Sequence, residues 1–578
     1  MSSSARFSEE WLRNRMRRNA GTGRLPSCRT QMVALLLVLA PTMGIAQESF
    51  DFLGFDEASL STPARDGLRE IFSGRMFNMA VPRSLSDAMA AVEAEKKDAL
   101  GYDPNSSEGK FYSSGTLPSP PTRDIDPGVS LGEVVFERDG AVLTGGNCFS
   151  CHAGVVNGKV VAGLGNNSVM QRPPRPEGTE TPNMMMLAAA LKTPAEKAAM
   201  AELMKTGRGV SSPIAETTNR GDNYGPFAVW AHGAQLEDPA NKGLAVSRGK
   251  TELTDIIENN MAPPVDPMPW WLMKYKTFDY WYGDGNPFDA AHFSFNFTGA
   301  QESANEIHAS HVGSTAKALA FARETQSPTF PAALDAALVQ KGSDLFHGRT
   351  EPADMTAFKG CYECHGTYTK KASSPDFSKP GSWSVAYEGT ELKSVRTDKA
   401  YNEYLQEMRP ISEHITQLRE YYLALETPEL APRFDHLEGK GYLPPPLVGV
   451  WATAPYFHNG SVPTVEAVLN SELRPEIWSR NQDPYTYDLE RLGMEFEPIS
   501  RTDFEARAEQ ASKAPYKSKA SLDQMFIYDT TGFGRGNTGH TFGDSLTDAE
   551  RSALIEFLKS LSGPDMTAVS TAIKQAKL

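Results

Sequence analysis

The sequence predicts a mainly α-helical protein of two related units, with long loop-rich insertions and little β-structure. Two expected helices support this fold class: an amphipathic segment at 330–346 precedes a short Cys/His motif, and a capped helix is expected at 546–561. The third observation is that the motif, C-x-x-C-H, occurs twice, at 148–152 and 361–365. A duplicated motif in a chain of 578 residues predicts one structural unit around each copy.

Residues 1–46 are typical of a cleaved export signal. An arginine-rich stretch precedes the apolar run MVALLLVLA at 32–40, and Gly44 and Ala46 are the small residues expected before a cleavage site. The apolar run is far shorter than the roughly 20 residues that a membrane-spanning helix needs. We therefore expect cleavage after Ala46, a periplasmic or secreted location, and no membrane span after signal cleavage.

The cysteines and histidines of the two motifs indicate a cofactor. Cys28 belongs to the expected signal, and the other cysteines of the chain all lie in the motifs. Each motif ends in a histidine, and the residues concerned are Cys148, Cys151, His152, Cys361, Cys364 and His365. C-x-x-C-H is typical of a c-type haem attachment site, in which the two thiols bond to the haem and the histidine coordinates the iron.

Two other chemistries use paired cysteines. Two C-x-x-C pairs can form a tetrahedral zinc site, but zinc does not require a histidine directly after both pairs. A thioredoxin-like dithiol needs one motif in a βαβ setting and no second copy. The sequence therefore predicts two cytochrome c-type haem domains with two covalently bound haem c groups. The formal net charge of −15, with no basic patch, excludes a nucleic-acid partner.

The surroundings of the motifs predict the domain organisation. After the signal, residues 47–127 form an N-terminal extension, 128–330 a first haem domain with a large insertion, and 331–578 a second haem domain. The segment 130–147 is expected to lead into the first motif as a short helix and loop, as 330–346 leads into the second. The terminal helix, with Thr547 and Glu550 as a capping box, is expected to pack across the helix before the second motif.

The second iron ligand of each haem decides its function, because two strong protein ligands favour electron transfer and an open position favours oxygen or peroxide binding. The chain has 11 histidines and 21 methionines, so composition alone does not identify the second iron ligand of either haem. His540 lies in the Gly-rich run GRGNTGHTFGD before the terminal helix, and glycines let backbone approach a flat macrocycle closely. His458 lies in PYFHNGSVPTVEAVL.

The run containing His458 resembles the signature of the bacterial di-haem cytochrome c peroxidase superfamily, which includes the MauG-type enzymes. The long insertion and the Gly-His-x-Phe-Gly run resemble most the di-haem rubber oxygenase branch, whose secreted members cleave polyisoprene oxidatively. The resemblance implies that His152 is proximal at a reactive, oxygen-binding N-terminal haem, and that His365 and His540 bracket the second iron. It also implies that His458 lies near a haem edge, where it tunes or relays charge, and that a Ca²⁺ ion between the domains is possible.

Other residues are candidates near the first haem. The aromatic block at 263–288 supplies Trp270, Trp271 and Trp281, which either line a distal pocket, bridge the haems or serve only in packing. His308 and His311 could approach from a helix, and the methionine run at 184–186 is an alternative ligand or core packing. None of these residues lies in a sequence context like that of His540. The first haem iron is therefore expected to keep an open coordination position.

The predicted function is therefore an exported di-haem oxidoreductase. Its N-terminal haem would bind and activate O₂ or H₂O₂, and its C-terminal haem would transfer electrons. Two reactions are candidates: oxygenation of an apolar polymer or lipid-like substrate, as in a rubber oxygenase, and reduction of peroxide. A redox protein partner is possible. The alternative is a non-catalytic di-haem electron-transfer cytochrome c.

Overall fold

The computed structural model describes the regions around both motifs. The described residues are 52–53, 55–56, 58–73, 80–95, 131–166, 189–206, 263–283, 285–298, 304–350, 360–372, 382–407, 419–433, 435–481, 486–514, 518–563 and 567–568. The predicted export signal and the methionines at 184–186 lie outside them. No helix in the described ranges combines the length and the apolar character needed to cross a bilayer.

The described residues form short helices and strands joined by long loops. The helices are α1 (Thr62–Ile71), α2 (Arg83–Glu95), α3 (Phe149–His152), α4 (Pro194–Thr206), α5 (Ala290–Thr298), α6 (Ala304–Glu324), α7 (Ala336–Phe346), α8 (Tyr362–His365), α9 (Ala400–Glu407), α10 (Val465–Leu469), α11 (Arg501–Lys513), α12 (Lys519–Asp523) and α13 (Asp548–Ser560). The strands are β1 (Phe52–Leu53), β2 (Ala80–Pro82), β3 (Glu133–Arg138), β4 (Ala141–Gly146), β5 (Ala153–Val156), β6 (Lys159–Ala162), β7 (Thr367–Lys370), β8 (Trp383–Ala386), β9 (Ile477–Arg480), β10 (Phe496–Pro498), β11 (Ile527–Asp529) and β12 (Thr567–Ala568).

The strands form small three-stranded sheets beside the motifs. Their orders are β1-β6-β5, β2-β4-β3, β12-β8-β7 and β10-β9-β11. The motif helix α3 runs directly into β5, and α8 is followed after one residue by β7. Each C-x-x-C-H turn is thus held at the start of a hydrogen-bonded strand.

The segment before the first motif is a β-hairpin, so the prediction of a short helix at 130–147 is wrong. β3 and β4 pair antiparallel along their whole length. Asp139 and Gly140 connect them, with φ angles of 51° and 78°. An Asp-Gly pair with two positive φ angles forms the tight hairpin turn whose twist matches that of paired strands. The mistaken expectation came from the analogy with the second motif, and the Asp-Gly signal was missed.

The helices on either side of the second motif cross each other as predicted. Asp335 caps α7 by accepting hydrogen bonds from two backbone N–H groups of its first turn. The capping box of Thr547 and Glu550 begins α13, which confirms that prediction. The crossing is close at Gly342, where an added Cβ would lie 2.0 Å from the carbonyl oxygen of Ala553. Only glycine allows this approach of the two backbones.

Two clusters of buried apolar side chains position the motifs. The first surrounds Phe149, which is fully buried, and joins α1, α6 and Trp270. The second contains residues of α7 and α13 together with Val156, Leu164 and Trp271. Side chains from both predicted domains therefore share one core, which brings the two motifs into one packed body.

Candidate haem-binding sites

The first motif is a single helical turn held by asparagine side chains. Asn147 accepts a hydrogen bond from the backbone N–H of Phe149 and donates to the carbonyl oxygens of residues 131 and 133. The side-chain amide of Asn166 donates to the carbonyl oxygen of Ser150 at 2.8 Å, and its backbone N–H donates to that of Cys151 at 2.7 Å. These bonds fix the backbone that carries both thiols. Burial raises the pKa of the Cys148 thiol to about 12, and the neighbouring Cys151 adds to the effect.

The imidazole of His152 lies against Trp270. The ring centroids are 5.1 Å apart and the ring planes are inclined by 28°. Its Nδ1 atom is buried and has no hydrogen-bond partner among the described residues. Burial lowers the pKa of His152 to about 4. A neutral imidazole fits the role of an iron ligand, since a ligating histidine must be deprotonated at the coordinating atom.

The second motif has a more complete set of supporting hydrogen bonds. Nδ1 of His365 donates to the carbonyl oxygen of Pro445 at 2.8 Å. Because a carbonyl oxygen only accepts, this bond fixes the hydrogen on Nδ1. The lone pair that can bind a metal is therefore on Nε2. The hydroxyl of Tyr368 donates to the carbonyl oxygen of His365 and accepts from the N–H of Leu447. Tyr387 donates to the carbonyl oxygen of Pro444.

His540 faces His365. The two ring centroids are 6.2 Å apart. An imidazole nitrogen lies about 2 Å from a bound metal ion, with the ring centre about 1 Å further back, so two rings on opposite sides of one ion have centres about 6 Å apart. The observed separation therefore fits an iron between the rings. Burial, followed by the neighbouring His365 and Arg474, lowers the pKa of His540 to about 4.

An unusual backbone path brings His540 to this position. Gly539 and His540 both have positive φ angles, 76° and 45°. A Cβ on Gly539 would lie 2.2 Å from the carbonyl carbon of Arg396, so no other residue fits there without a shift. The N–H of His540 donates to the carbonyl oxygen of Val395 at 2.8 Å. The Gly-rich run thus permits a strained turn that presents the imidazole.

Arg474 holds this turn, and the sequence analysis missed it. Its guanidinium donates to five carbonyl oxygens at 2.6–3.1 Å, namely those of Ala467, Val468, Asn537, Gly539 and His540. The guanidinium carbon also lies 5.1 Å from the ring centre of Phe457. Arg474 is distant from His540 in the chain, and no local pattern singles it out.

A mainly apolar cavity of about 300 Å³ lies between His365 and His540. Its lining includes the second cysteine pair and residues of both predicted domains, among them Cys361, Cys364, Met268, Leu272, Trp281 and Tyr442. Burial raises the pKa of Cys361 to about 12 and also raises the pKa of Cys364. Two thiols, two facing imidazoles and apolar walls are the donor set and surroundings that a covalent haem requires.

His458 lies at the wall of this same cavity. Its ring stacks on that of Tyr442 with centroids 3.9 Å apart. Nε2 of His458 is buried without a hydrogen-bond partner among the described residues, and burial lowers the pKa of the ring to about 3. His458 therefore accompanies the second motif and presents a neutral ring to the cavity.

The three tryptophans occupy different places between the motifs. Trp270 contacts His152, as described above, and so lies on the His152 side of the first motif. Trp271 is fully buried and donates from its indole nitrogen to the carbonyl oxygen of Val448 at 2.9 Å. Trp281 lines the second cavity and donates to the carbonyl oxygen of Asp266 at 2.7 Å.

His308 has both ring nitrogens engaged in hydrogen bonds, whereas Nδ1 of His311 is buried without a partner among the described residues. His308 bonds through Nδ1 to the hydroxyl of Ser294 and through Nε2 to the carbonyl oxygen of Leu430, at 3.1 and 2.8 Å. It therefore has no nitrogen left for iron. His311 lies on the same helix α6, about 15 Å along its axis from Phe321, which packs on Phe149 beside the first motif.

No group of three or more His, Cys, Asp or Glu side chains converges on a metal site within the described ranges. The Ca²⁺ ion stays a prediction.

Comparison with known proteins adds one family match and two partial relatives. Residues 441–479 match the family described as RoxA-like, cytochrome c-like. The matched segment contains His458, Arg474 and the carbonyl oxygen that orients His365. Its similarity to a cytochrome c-like domain indicates covalently bound haem c with iron, haem-based electron transfer or oxidoreduction, and export.

Both relatives are uncharacterized proteins of Sinorhizobium fredii (strain NBRC 101917 / NGR234). The protein y4iJ is 34% identical over 127 residues, which is 20% of this chain and 17% of y4iJ. The protein y4iM is 34% identical over 101 residues, which is 18% of this chain and 20% of y4iM. The chain thus matches about a fifth of each relative's length, and neither name states an activity.

Proposed function

We propose that the protein is an exported di-haem c-type cytochrome oxidoreductase. Its N-terminal haem, attached at Cys148 and Cys151, binds and activates O₂ or peroxide. Its C-terminal haem, attached at Cys361 and Cys364, transfers electrons. The observation that carries the proposal is the 6.2 Å separation of the His365 and His540 rings across an apolar cavity, because two histidine ligands leave that iron no open position.

The contrast between the two motifs supports the division of roles. Among the described residues, no histidine ring is paired with His152 in the way that His540 is paired with His365. The ring that contacts His152 is an indole, which does not coordinate iron. A haem iron held by His152 alone would keep a position for an external ligand, and such a haem would bind oxygen or peroxide.

The haem groups supply the redox chemistry, and the side chains orient and insulate them. Pro445 directs the imidazole of His365, and the turn held by Arg474 directs that of His540. Apolar residues such as Leu272 and Leu447 line the cavity and lower the local dielectric, which is one of the means by which a protein sets a haem potential. His458 adds a neutral ring at the cavity wall.

A short segment connects the two sites. Trp270 stacks on His152 at one site, and its neighbours Met268 and Pro269 line the cavity of the other. The N–H of Asp266 donates to the carbonyl oxygen of His458 at 2.7 Å, which ties the segment to the second site. We infer that residues 265–271 carry electrons between the haems. This is the bridging role that the sequence offered for the tryptophans.

The resemblance and the partial family match support a proposal for the substrate class. We propose oxidation of an apolar polymer or lipid-like molecule, as in rubber oxygenases, with peroxide reduction as the competing reaction. A redox protein partner would supply or remove electrons. The alternative is a non-catalytic electron carrier, in which both irons have two protein ligands.

Absorption spectroscopy of the purified holoprotein tests the proposal. Pyridine haemochrome analysis should give two haem c groups per chain. After reduction, carbon monoxide should shift the spectrum of half of the haem. His152→Ala should change the band positions of that carbon monoxide complex, while the low-spin bands of the other haem remain. If carbon monoxide and peroxide leave the spectrum unchanged, the protein is an electron carrier.

A further inference from the structure

A chain of aromatic rings leads away from the second cavity. Tyr442 lines the cavity and stacks on His458, with centroids 3.9 Å apart. His458 stacks on Tyr401 at 6.4 Å, and Tyr401 meets Tyr282 edge-on at 5.7 Å. Tyr282 stacks on Tyr280 at 5.5 Å with the planes inclined by only 10°. Each step is a ring-to-ring contact, so the chain is continuous from the cavity wall to Tyr280.

Trp281 provides a second connection to the same place. Its side chain lines the cavity, and its sequence neighbours are Tyr280 and Tyr282. The bond from its indole nitrogen to Asp266 fixes its orientation. Both connections end at the stacked pair Tyr280 and Tyr282, which we call the tyrosine pair.

The chain runs from buried to half-buried residues. Tyr401 and His458 are each 3% exposed and Tyr442 is 8% exposed. Both members of the tyrosine pair are half-buried. The outer end is therefore within reach of small molecules in solvent, whereas the inner links are not.

Tyr280 has a proton acceptor. Its hydroxyl lies 3.4 Å from Nε2 of His292, at the long end of hydrogen-bond range. Nδ1 of His292 lies 3.1 Å from the carbonyl oxygen of Arg433, which only accepts. The carbonyl oxygen favours the tautomer with the hydrogen on Nδ1, in which Nε2 accepts from the hydroxyl of Tyr280. A tyrosine with such a partner is oxidised more readily, because its phenolic proton can move to the acceptor when the ring loses an electron.

The backbone around this pair is built to hold it. Tyr280 has a φ of 51°, a conformation that costs a bulky residue about 1–3 kcal/mol. Gly285 packs flat on the imidazole of His292, and an added Cβ there would lie 2.8 Å from its Cε1. His292 is 1% exposed. The strained backbone of Tyr280 therefore places its hydroxyl against an imidazole that is itself held in position.

We propose that Tyr280 is a second redox site, at which the protein oxidises phenol-class donors by one electron. The proposal rests on the proposed function, with peroxide as the oxidant. Tyr280 would pass one electron along the ring chain to the C-terminal haem, and residues 265–271 would pass it on to the N-terminal haem, where peroxide would react. The phenolic proton of Tyr280 would move to Nε2 of His292. The neutral tyrosyl radical then takes a hydrogen atom from a phenol, which leaves a phenoxyl radical and restores Tyr280.

The protons and electrons of the reaction balance when water is the other product. The proton on His292 passes to solvent, and the reduction of peroxide to water takes up one proton for each electron it receives. Two phenols are thus oxidised for each peroxide consumed. The only protein bonds that form or break are the O–H bond of Tyr280 and the N–H bond at Nε2 of His292.

Freeze-quench electron paramagnetic resonance (EPR) of the holoprotein after mixing with hydrogen peroxide tests the assignment. The wild-type protein should give a tyrosyl radical signal that decays faster when guaiacol is added. Tyr280→Phe, which removes only the hydroxyl, should lose most of this signal. Tyr421→Phe is the matched control, because Tyr421 packs on Tyr422 away from the ring chain, and it should keep the signal.

Two results would overturn the assignment and can be told apart. If peroxide changes the haem spectrum and the radical signal is the same in Tyr280→Phe as in wild type, Tyr280 is not the redox site and the proposed function stands. If peroxide does not change the haem spectrum at all, both the redox site and the peroxide chemistry of the proposed function are wrong. Loss of the signal in His292→Gln, whose amide accepts a hydrogen bond but no proton, would further support the proton transfer.

Discussion

Arg474→Met should release His540 from the second haem. The methionine keeps the length and apolar contacts of the side chain but removes all five hydrogen bonds, three of which hold residues 537–540. Hydrogen bonds from a charged donor contribute about 1.5–3 kcal/mol each, so the turn loses about 4 kcal/mol or more. The left-handed φ of His540 costs about 1–3 kcal/mol, and this strain is then no longer opposed by Arg474.

The expected result is a shift of the C-terminal haem from low spin towards high spin, measured by absorption and EPR spectra of the oxidised holoprotein. Added imidazole should restore the low-spin spectrum. Arg491→Met is the control, because the Arg491 side chain is 51% exposed and pairs with Asp488 outside this turn. An unchanged spin state in Arg474→Met, in a protein that folds as judged by circular dichroism, would refute the idea that Arg474 positions the ligand.

Three further predictions concern other parts of the molecule. His152→Ala should abolish oxygen or peroxide turnover and keep the low-spin signal; retained turnover would mean that the roles of the haems are reversed. Gly342→Ala should lower the thermal unfolding temperature, because its Cβ would lie 2.0 Å from the Ala553 carbonyl, with a cost of about 1–3 kcal/mol. Gly313→Ala is the control: it lies in helix α6 with nothing within 4 Å of its added Cβ, and it should stabilise by about 0.5–1 kcal/mol. Trp270→Leu should slow electron transfer between the haems in stopped-flow reduction; an unchanged rate would remove Trp270 from the path.

Local patterns in the sequence predicted the parts of the fold that are determined locally. The capping box at Thr547 specifies the start of its helix, and the structure confirms it. A helix also precedes the second motif, but it begins at Ala336 and not at 330 as predicted, because Asp335 is its N-cap. The hairpin before the first motif was predicted wrongly because a helix was carried over from the second motif, although Asp139-Gly140 was a local signal for a turn.

The candidate site was predictable only in its covalent part. The C-x-x-C-H spacing is short and specific, and the glycines beside His540 indicated a close backbone approach. Arg474 and His292 act on residues far away in the chain, through carbonyl oxygens and a single hydroxyl, and such contacts leave no periodic pattern in one sequence. The location of His458 beside the second motif likewise depends on the tertiary packing of its loop against Tyr442.

Near-infrared magnetic circular dichroism of the oxidised holoprotein, compared between wild type and His540→Ala, tests whether His365 and His540 both bind the iron of the C-terminal haem. The wild-type spectrum should contain a low-spin band typical of two histidine ligands, accounting for one of the two haems. This band should disappear in His540→Ala and return on addition of imidazole. A bis-histidine band of undiminished intensity in His540→Ala would contradict the account.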